Sequence, residues 1–117
     1  MSSLPVIKGT LDVLALRALT MSPMHGFEIV EWLENAADGS LQIEDSAVYQ
    51  ALYRLEERGF LKASWGVTEN NRRARYYGAT SAGRAHLRAE TRRWLRYSEM
   101  VSGILTAASR TTNARPA

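Results

Sequence analysis

The chain has 117 residues, of which 45% are hydrophobic and none is cysteine, and its formal net charge is +3. This length predicts a single domain with its own core, and the absence of cysteine excludes disulfides and thiolate metal sites. Since no apolar run approaches the roughly 20 residues that span a bilayer, we expect a cytoplasmic protein that has no membrane partner.

The charged residues are unevenly distributed along the chain. Residues 1–57 carry three basic and nine acidic side chains, whereas residues 58–117 carry twelve basic and three acidic ones. Arg72, Arg73 and Arg75 cluster in one short segment of the basic half. This polarity favours an anionic partner, nucleic acid before membrane. The alternative is that the arginines of the last predicted helix are only its solvated face.

The first two predicted helices form a scaffold. Leucine and alanine residues at helical spacing between Leu11 and Leu19 mark the core face of the first helix. His25-Gly26 opens the second helix after a break at Ser22-Pro23. The expected core face of the second helix consists of Phe27, Ile29, Val30 and Leu33.

Two short features precede the third predicted helix. The segment Leu41-Gln42-Ile43 alternates in polarity, so we expect it to be the edge strand that completes the sheet of a later hairpin. Asp45 and Ser46 are expected to cap the helix, with Glu44 pointing away and the Ser46 hydroxyl able to turn to a phosphate.

The third helix and the segment after it predict a winged helix-turn-helix. Val48, Leu52 and Leu55 recur at helical spacing. Two runs of β-forming residues follow within 60–80, and the polar segment 68–73 between them is typical of a hairpin tip. A helix of this kind can enter a DNA major groove while a cationic tip reaches phosphate or the minor groove.

The last part of the sequence predicts one long helix from about Ser81 to Ser109, with apolar residues at a/d-like spacing. The core formed by the earlier helices leaves these residues without a partner. We therefore expect the same helix of a second copy to cover them in a homodimer. The residues expected at the dimer interface are Leu87, Trp94, Tyr97, Val101 and Ile104.

The expected fold class is mainly α (α+β), a winged helix-turn-helix with a long C-terminal dimerisation helix. We expect the DNA-binding domain over 1–80, the dimerisation helix over 81–109 and a disordered tail over 110–117.

Four segments resemble the PadR family of bacterial transcriptional regulators: KGTLDVLALRAL, MHGFEIVEWLE, SAVYQALYRLEERGFLKASW and NNRRARYYGATSAGR. The resemblance covers roughly residues 7–105. It implies a winged helix-turn-helix that dimerises through a C-terminal helix, acts mostly as a repressor at promoters and is released by a small molecule or a stress signal. The single short C-terminal helix is similar to that of the family's smaller subgroup.

The resemblance places Tyr49, Tyr53 and Arg54 on the helix that contacts DNA. The family usually carries Pro where this chain has Gln50 and Ser or Thr where it has Ala47, so Gln50 adds a side chain that can bond an adenine edge. An alternative for Tyr49 is that its ring packs between helices and only its hydroxyl reaches a phosphate. The contacts expected with double-stranded DNA are Ser46, Tyr49, Gln50, Tyr53, Arg54, Asn70, Asn71, Arg72, Arg73 and Arg75. A dimer with these contacts requires an inverted-repeat operator.

Two further functions compete with DNA binding alone. Trp65, Trp94 and Tyr97 either pack at the dimer interface or line a cavity in which a flat apolar effector stacks, as in multidrug-sensing relatives of the family. A winged ligand-sensing or adaptor module without sequence-specific DNA binding would be supported if a partner chain buried the arginines of the hairpin tip.

Enzymatic activity is not expected. His25 and His86 are 61 residues apart, and the chain contains no HExxH motif, nucleophile elbow or glycine-rich phosphate loop. The sequence therefore predicts no catalytic residue, no metal site and no cofactor.

Overall fold

The computed structural model describes residues 3–109, so the expected tail over 110–117 lies outside the described residues. The chain is mainly α and forms a winged helix-turn-helix with a long last helix. Its helices are α1 (Leu11–Met21), α2 (Gly26–Ala37), α3 (Asp45–Glu57) and α4 (Ser81–Leu105). Its strands are β1 (Leu4–Pro5), β2 (Met24–His25), β3 (Leu41–Gln42), β4 (Leu61–Val67) and β5 (Arg73–Ala79).

The core lies where α1, α2 and α3 meet. The largest fully buried side chains are the aliphatic residues Leu16, Leu19, Ile29, Val48, Leu52 and Leu55. Phe27 was expected among them, and this prediction is wrong because the residue is 57% exposed. Ile29 lies about 200° further round α2, so the two side chains cannot share one face of the helix.

The small sheet is completed by a different segment from the one expected. β4 and β5 form the antiparallel hairpin, and β2 is the third strand, with Met24 paired to Tyr77 and His25 to Tyr76. β3 instead pairs with β1 in parallel, so the prediction that Leu41-Gln42-Ile43 joins the hairpin is wrong. Burial explains the choice, since Met24 and Tyr77 are both buried in the core whereas Leu41 is only partly buried.

The start of α2 is held by a capping box. The Glu28 N–H donates to His25 Nδ1 at 3.3 Å, and the His25 N–H donates to Glu28 Oε1 at 3.1 Å. The start of α3 differs from the prediction because Glu44, not Asp45 or Ser46, is the N-cap, and its side chain makes no capping bond. The Val48 N–H already bonds the Glu44 carbonyl, so the helix begins too early for Asp45 or Ser46 to cap it.

The first turns of α4 belong to the core of the winged domain. At Gly83 an added Cβ would meet the Phe60 carbonyl oxygen, and the Phe60 ring stacks on His86 with centroids 4.2 Å apart. Leu87, one turn after Gly83, is only 7% exposed and packs in the core cluster. Its expected role at a dimer interface is therefore wrong, because its side chain is already covered within the protomer.

The remainder of α4 extends away from the domain, and the described chain measures 71 × 34 × 20 Å. Thr80 caps the start of this helix, since its Oγ1 accepts a hydrogen bond from the Gly83 N–H at 3.0 Å.

Candidate nucleic-acid interface

α3 presents one exposed polar face opposite its buried one. Val48, Leu52 and Leu55 are buried, so the spacing of the helix turns the residues between them to solvent. Every residue expected to contact DNA from this helix is exposed: Ser46, Tyr49, Gln50, Tyr53 and Arg54. They fall at intervals of three and four residues and therefore share one face of α3.

Tyr49 combines packing with exposure. Its ring lies across Gly26, the first residue of α2, where an added Cβ would stand 2.5 Å from the ring atom Cζ and 2.6 Å from the hydroxyl oxygen. The side chain is nonetheless half-exposed. The ring therefore contacts the first residue of α2 while half of the side chain remains open to solvent.

Arg54 is held by a residue of another helix. Its Nε and Nη2 donate to the two carboxylate oxygens of Asp12 in α1, at 3.1 and 2.6 Å. This hydrogen bonding to Asp12 raises the pKa of the Arg54 guanidinium above its ordinary value. The pair joins residues that are 42 positions apart, so no local sequence signal could have found it.

Tyr53 also has a partner within the chain. Its hydroxyl donates to Glu57 Oε2 at 3.1 Å, and this hydrogen bond, together with the Glu57 charge, raises the pKa of the phenol. Glu57 lies four residues after Tyr53 on the same helix, so the i,i+4 spacing would have indicated this contact.

The hairpin of β4 and β5, here called the wing, ends in a tight turn at 68–72. Asn71 has a φ of 60°, the left-handed conformation that Asn tolerates better than most residues. The Thr68 N–H donates to the Arg72 carbonyl at 2.8 Å, and the Arg72 N–H donates to Thr68 Oγ1 at 3.2 Å. Asn71 thus shapes the turn, while Asn70 and Arg72 are exposed at its tip.

The two arginines of β5 are ordered by neighbouring side chains. Arg75 Nη2 donates to Glu56 Oε2 of α3 at 2.7 Å, which connects the wing to the exposed helix. The Arg73 guanidinium lies over the Trp65 ring, 4.4 Å from its centroid. Both arginines are exposed, and they lie on the side of the wing next to α3.

The structure separates the residues expected to line an effector pocket. Trp94 and Tyr97 lie on α4 with ring centroids 6.5 Å apart, whereas Trp65 projects from β4 and contacts Arg73. Among residues 3–109, no ring contact joins Trp65 to either aromatic residue of α4. Within one copy of the chain, Trp65 therefore lies on the wing and not beside Trp94 and Tyr97. The cavity that the three residues were expected to line at a dimer interface stays a prediction.

The distal part of α4 carries apolar side chains that the protomer does not cover. Trp94, Tyr97 and Ile104 are exposed, Ile104 by 75%, and Val101 is partly exposed. Such a stripe on a protruding helix is typical of an interaction surface.

Within the described part of the chain, no helix is long and apolar enough to cross a membrane. No group of three or more metal-ligating side chains occurs among the same residues.

Comparison with known proteins identifies close likeness to one family. The family model described as the transcriptional regulator PadR-like family matches residues 15–89. A transcriptional regulator from Clostridium thermocellum is 26% identical, with a TM-score of 0.74 over 82% of this chain and 90% of that one. A PadR family transcriptional regulator from Eggerthella lenta is 29% identical, with a TM-score of 0.72 over 86% of each chain. An uncharacterized protein from Lysinibacillus sphaericus is 29% identical over 82% of this chain and 88% of that protein.

Proposed function

The chain belongs to the PadR-like family of transcriptional regulators, and from this premise we propose that it is a cytoplasmic, dimeric repressor that binds an inverted-repeat operator. Membership supports DNA binding and transcription regulation, while repression, dimerisation and the form of the operator are parts of the proposal. Family members regulate transcription and are not enzymes, so no catalytic role is proposed.

The observation that carries the proposal is the link between α3 and the wing. Arg75 bonds Glu56, which lies three residues after Tyr53 on α3, so the wing arginine is held next to the exposed face of that helix. In the proposal α3 enters the major groove with Gln50 and Tyr53 at the base edges, and the wing arginines neutralise phosphates. Gln50 is exposed on this face, where its amide can both donate to and accept from an adenine edge.

The second copy is supported by α4. A two-fold pair of α4 helices covers Trp94, Tyr97, Val101 and Ile104, leaving the two α3 helices free to occupy successive major grooves. Two identical α3 helices related by a two-fold axis recognise a DNA sequence with the same symmetry, which is an inverted repeat.

Release by a small aromatic or apolar effector is the regulatory part of the proposal. Trp94 and Tyr97 are both exposed and in contact, so their rings can stack with a flat ligand between two copies of α4. A ligand that repacks the helix pair changes the separation of the two α3 helices and weakens operator binding. Since Trp65 lies on the wing, the proposed site is built on Trp94 and Tyr97 of α4.

The alternative is a winged ligand-sensing or adaptor module without sequence-specific DNA binding. It requires a partner that buries the cations of the wing. Arg72 and Arg73 are exposed in the protomer, which favours an anionic partner that reaches them from solvent.

The proposal is tested by fluorescence anisotropy with duplex DNA from upstream of the protein's own gene, over a salt series and against random competitor DNA. We expect competitor-resistant binding whose affinity falls steeply with salt. Replacing Arg72 with Ala should weaken binding and reduce the salt slope by about one. Arg17→Ala, which removes an exposed arginine of α1, is the matched control and should leave affinity unchanged.

Two other outcomes of this binding experiment would contradict the proposal. Equal affinity for both DNAs would replace the specific repressor with a general DNA-binding protein. Absence of binding at low salt would refute the DNA-binding proposal and favour the adaptor module.

A further inference from the structure

One face of the wing borders the space between the wing and α3. Trp65 pairs with Arg75 and Val67 with Arg73 in the hairpin register, and residues paired across two strands lie on the same face. Since Arg75 reaches Glu56 of α3, this face is the one next to α3. A nucleic-acid strand that contacts both α3 and the wing runs past these side chains.

Trp65 is largely exposed at this place. Its side chain is 61% exposed, and the group that lies over its ring is the Arg73 guanidinium, 4.4 Å from the centroid. A guanidinium over an indole ring is attracted by the negative face of the ring and keeps its N–H donors directed outward. The contact therefore orders the cation and leaves its hydrogen-bonding edge available.

Arg72 provides the contrast within the same turn. Its backbone N–H bonds Thr68, but among the described residues its side chain makes no ion pair and lies over no ring. Of the two adjacent arginines at the wing tip, Arg73 is the one whose guanidinium lies against a neighbouring side chain. Ordering a long side chain in advance lowers the entropy that binding must otherwise remove.

We propose that Trp65 is a positioning residue for DNA binding, whose indole ring holds the Arg73 guanidinium toward the phosphate strand between α3 and the wing. The proposal rests on the proposed function as a DNA-binding regulator. It assigns Trp65 to the DNA-binding surface, where the Arg73 guanidinium covers one face of its ring.

The test is a double-mutant cycle between Trp65 and Arg73, read as affinity for the duplex from upstream of the protein's own gene. Trp65→Leu keeps an apolar side chain but removes the aromatic face, whereas Trp65→Phe keeps that face. We expect Trp65→Leu to weaken binding about two- to fivefold, the effect of an exposed cation–π contact, and Trp65→Phe to retain most of the affinity. In an Arg73→Ala background, Trp65→Leu should have no further effect.

Controls separate positioning from stability. Ser64→Ala alters an exposed residue of β4 that pairs with Tyr76 on the opposite face of the wing, and its affinity should match that of the wild type. Thermal unfolding of each variant establishes that the wing is intact. A merely structural role for Trp65 would lower the unfolding midpoint and weaken binding in the Arg73→Ala background as well.

Three results would overturn the inference. They are equal affinities of Trp65→Leu and Trp65→Phe, a loss on Trp65→Leu that persists in full without Arg73, and wild-type affinity in Arg73→Ala. In each of these cases the wild-type protein still binds the duplex. If the wild-type protein itself does not bind, the proposed function fails instead.

Discussion

Three side chains of the candidate DNA-binding surface, Tyr53, Arg54 and Arg75, are hydrogen-bonded to carboxylates. Asp12 holds Arg54, Glu57 accepts from Tyr53, and Glu56 holds Arg75. A phosphate or base that takes one of these donors must compete with a carboxylate already bonded to it. Such competition reduces the gain from each contact and thereby the affinity for DNA of arbitrary sequence.

The contribution of the Arg54–Asp12 ion pair to the stability of the fold can be measured. Asp12→Asn keeps the shape of the side chain but removes the charge that holds Arg54, so we expect unfolding free energy to fall by up to about 1 kcal/mol. Urea denaturation of Asp12→Asn, Arg54→Met and the double variant should give non-additive losses, because both changes remove one interaction. Additive losses would show that the two residues act separately.

Gly26 offers a way to move Tyr49 without deleting it. Gly26→Ala places a methyl group where the Tyr49 ring now lies, and the exposed ring can turn away at small cost to stability. We expect an unfolding midpoint close to that of the wild type but weaker DNA binding, similar to that of Tyr49→Ala. Anisotropy and thermal unfolding of the two variants check this. Unchanged DNA affinity in Gly26→Ala would remove the Tyr49 ring position from the interface.

At the scale of elements, α4 serves two regions of the molecule. Its first turns are fixed by Thr80, Gly83 and Leu87 against the winged domain, and its distal turns extend beyond the domain. The wing is joined in turn to α3 through Arg75. The first turns of α4 thus contact the segment around Phe60, which connects α3 to the wing.

Substitutions at two glycines of α4 test the division of this helix into packed first turns and exposed distal turns. Gly83→Ala forces a methyl group against the backbone carbonyl of Phe60, which cannot move aside as a side chain would. We expect a loss of unfolding free energy of about 1–3 kcal/mol. Gly103→Ala meets nothing within 4 Å and should raise helix stability by about 0.5–1 kcal/mol. Urea denaturation of both variants measures the difference, and equal effects would contradict the close packing at Gly83.

At the scale of the whole molecule, the protomer is elongated and leaves its most apolar helix surface at one end. The core cluster includes Leu87 from the start of α4 but none of the exposed apolar residues of its distal part. Two functions are thus separated in space, with the candidate DNA contacts on the winged domain and the candidate contacts between copies on α4.

Ile104→Asp should separate association from folding. Because Ile104 is 75% exposed in the protomer, the variant should keep its helical content, while a charge in the apolar stripe should give a monomer in sedimentation velocity. A monomer has only one α3 helix to place on the DNA, so its binding to the operator should be weaker by roughly 100-fold. Ser102→Asp, about 200° away round α4, is the matched control and should remain associated. Association of Ile104→Asp would place the interface elsewhere.

Local patterns in the sequence determined the helices, the wing and most of the core. Periodicity identified Val48, Leu52 and Leu55, and the alternation of β4 and β5 with a polar tip identified the hairpin. These features depend on residues within a few positions of one another, so they can be read along the chain. The exposed polar face of α3 follows from the same periodicity.

Only the tertiary structure decided the partners of these elements. The sequence of a two-residue strand does not determine which other strand it pairs with. Burial of Met24 against Tyr77 placed β2 rather than β3 in the sheet. Asp12 meets Arg54 across 42 positions, and Leu87 turns into the core because α4 packs at Gly83. Each of these results depends on contacts between segments that are distant in the sequence. The free energy of such contacts cannot be read from a local sequence pattern.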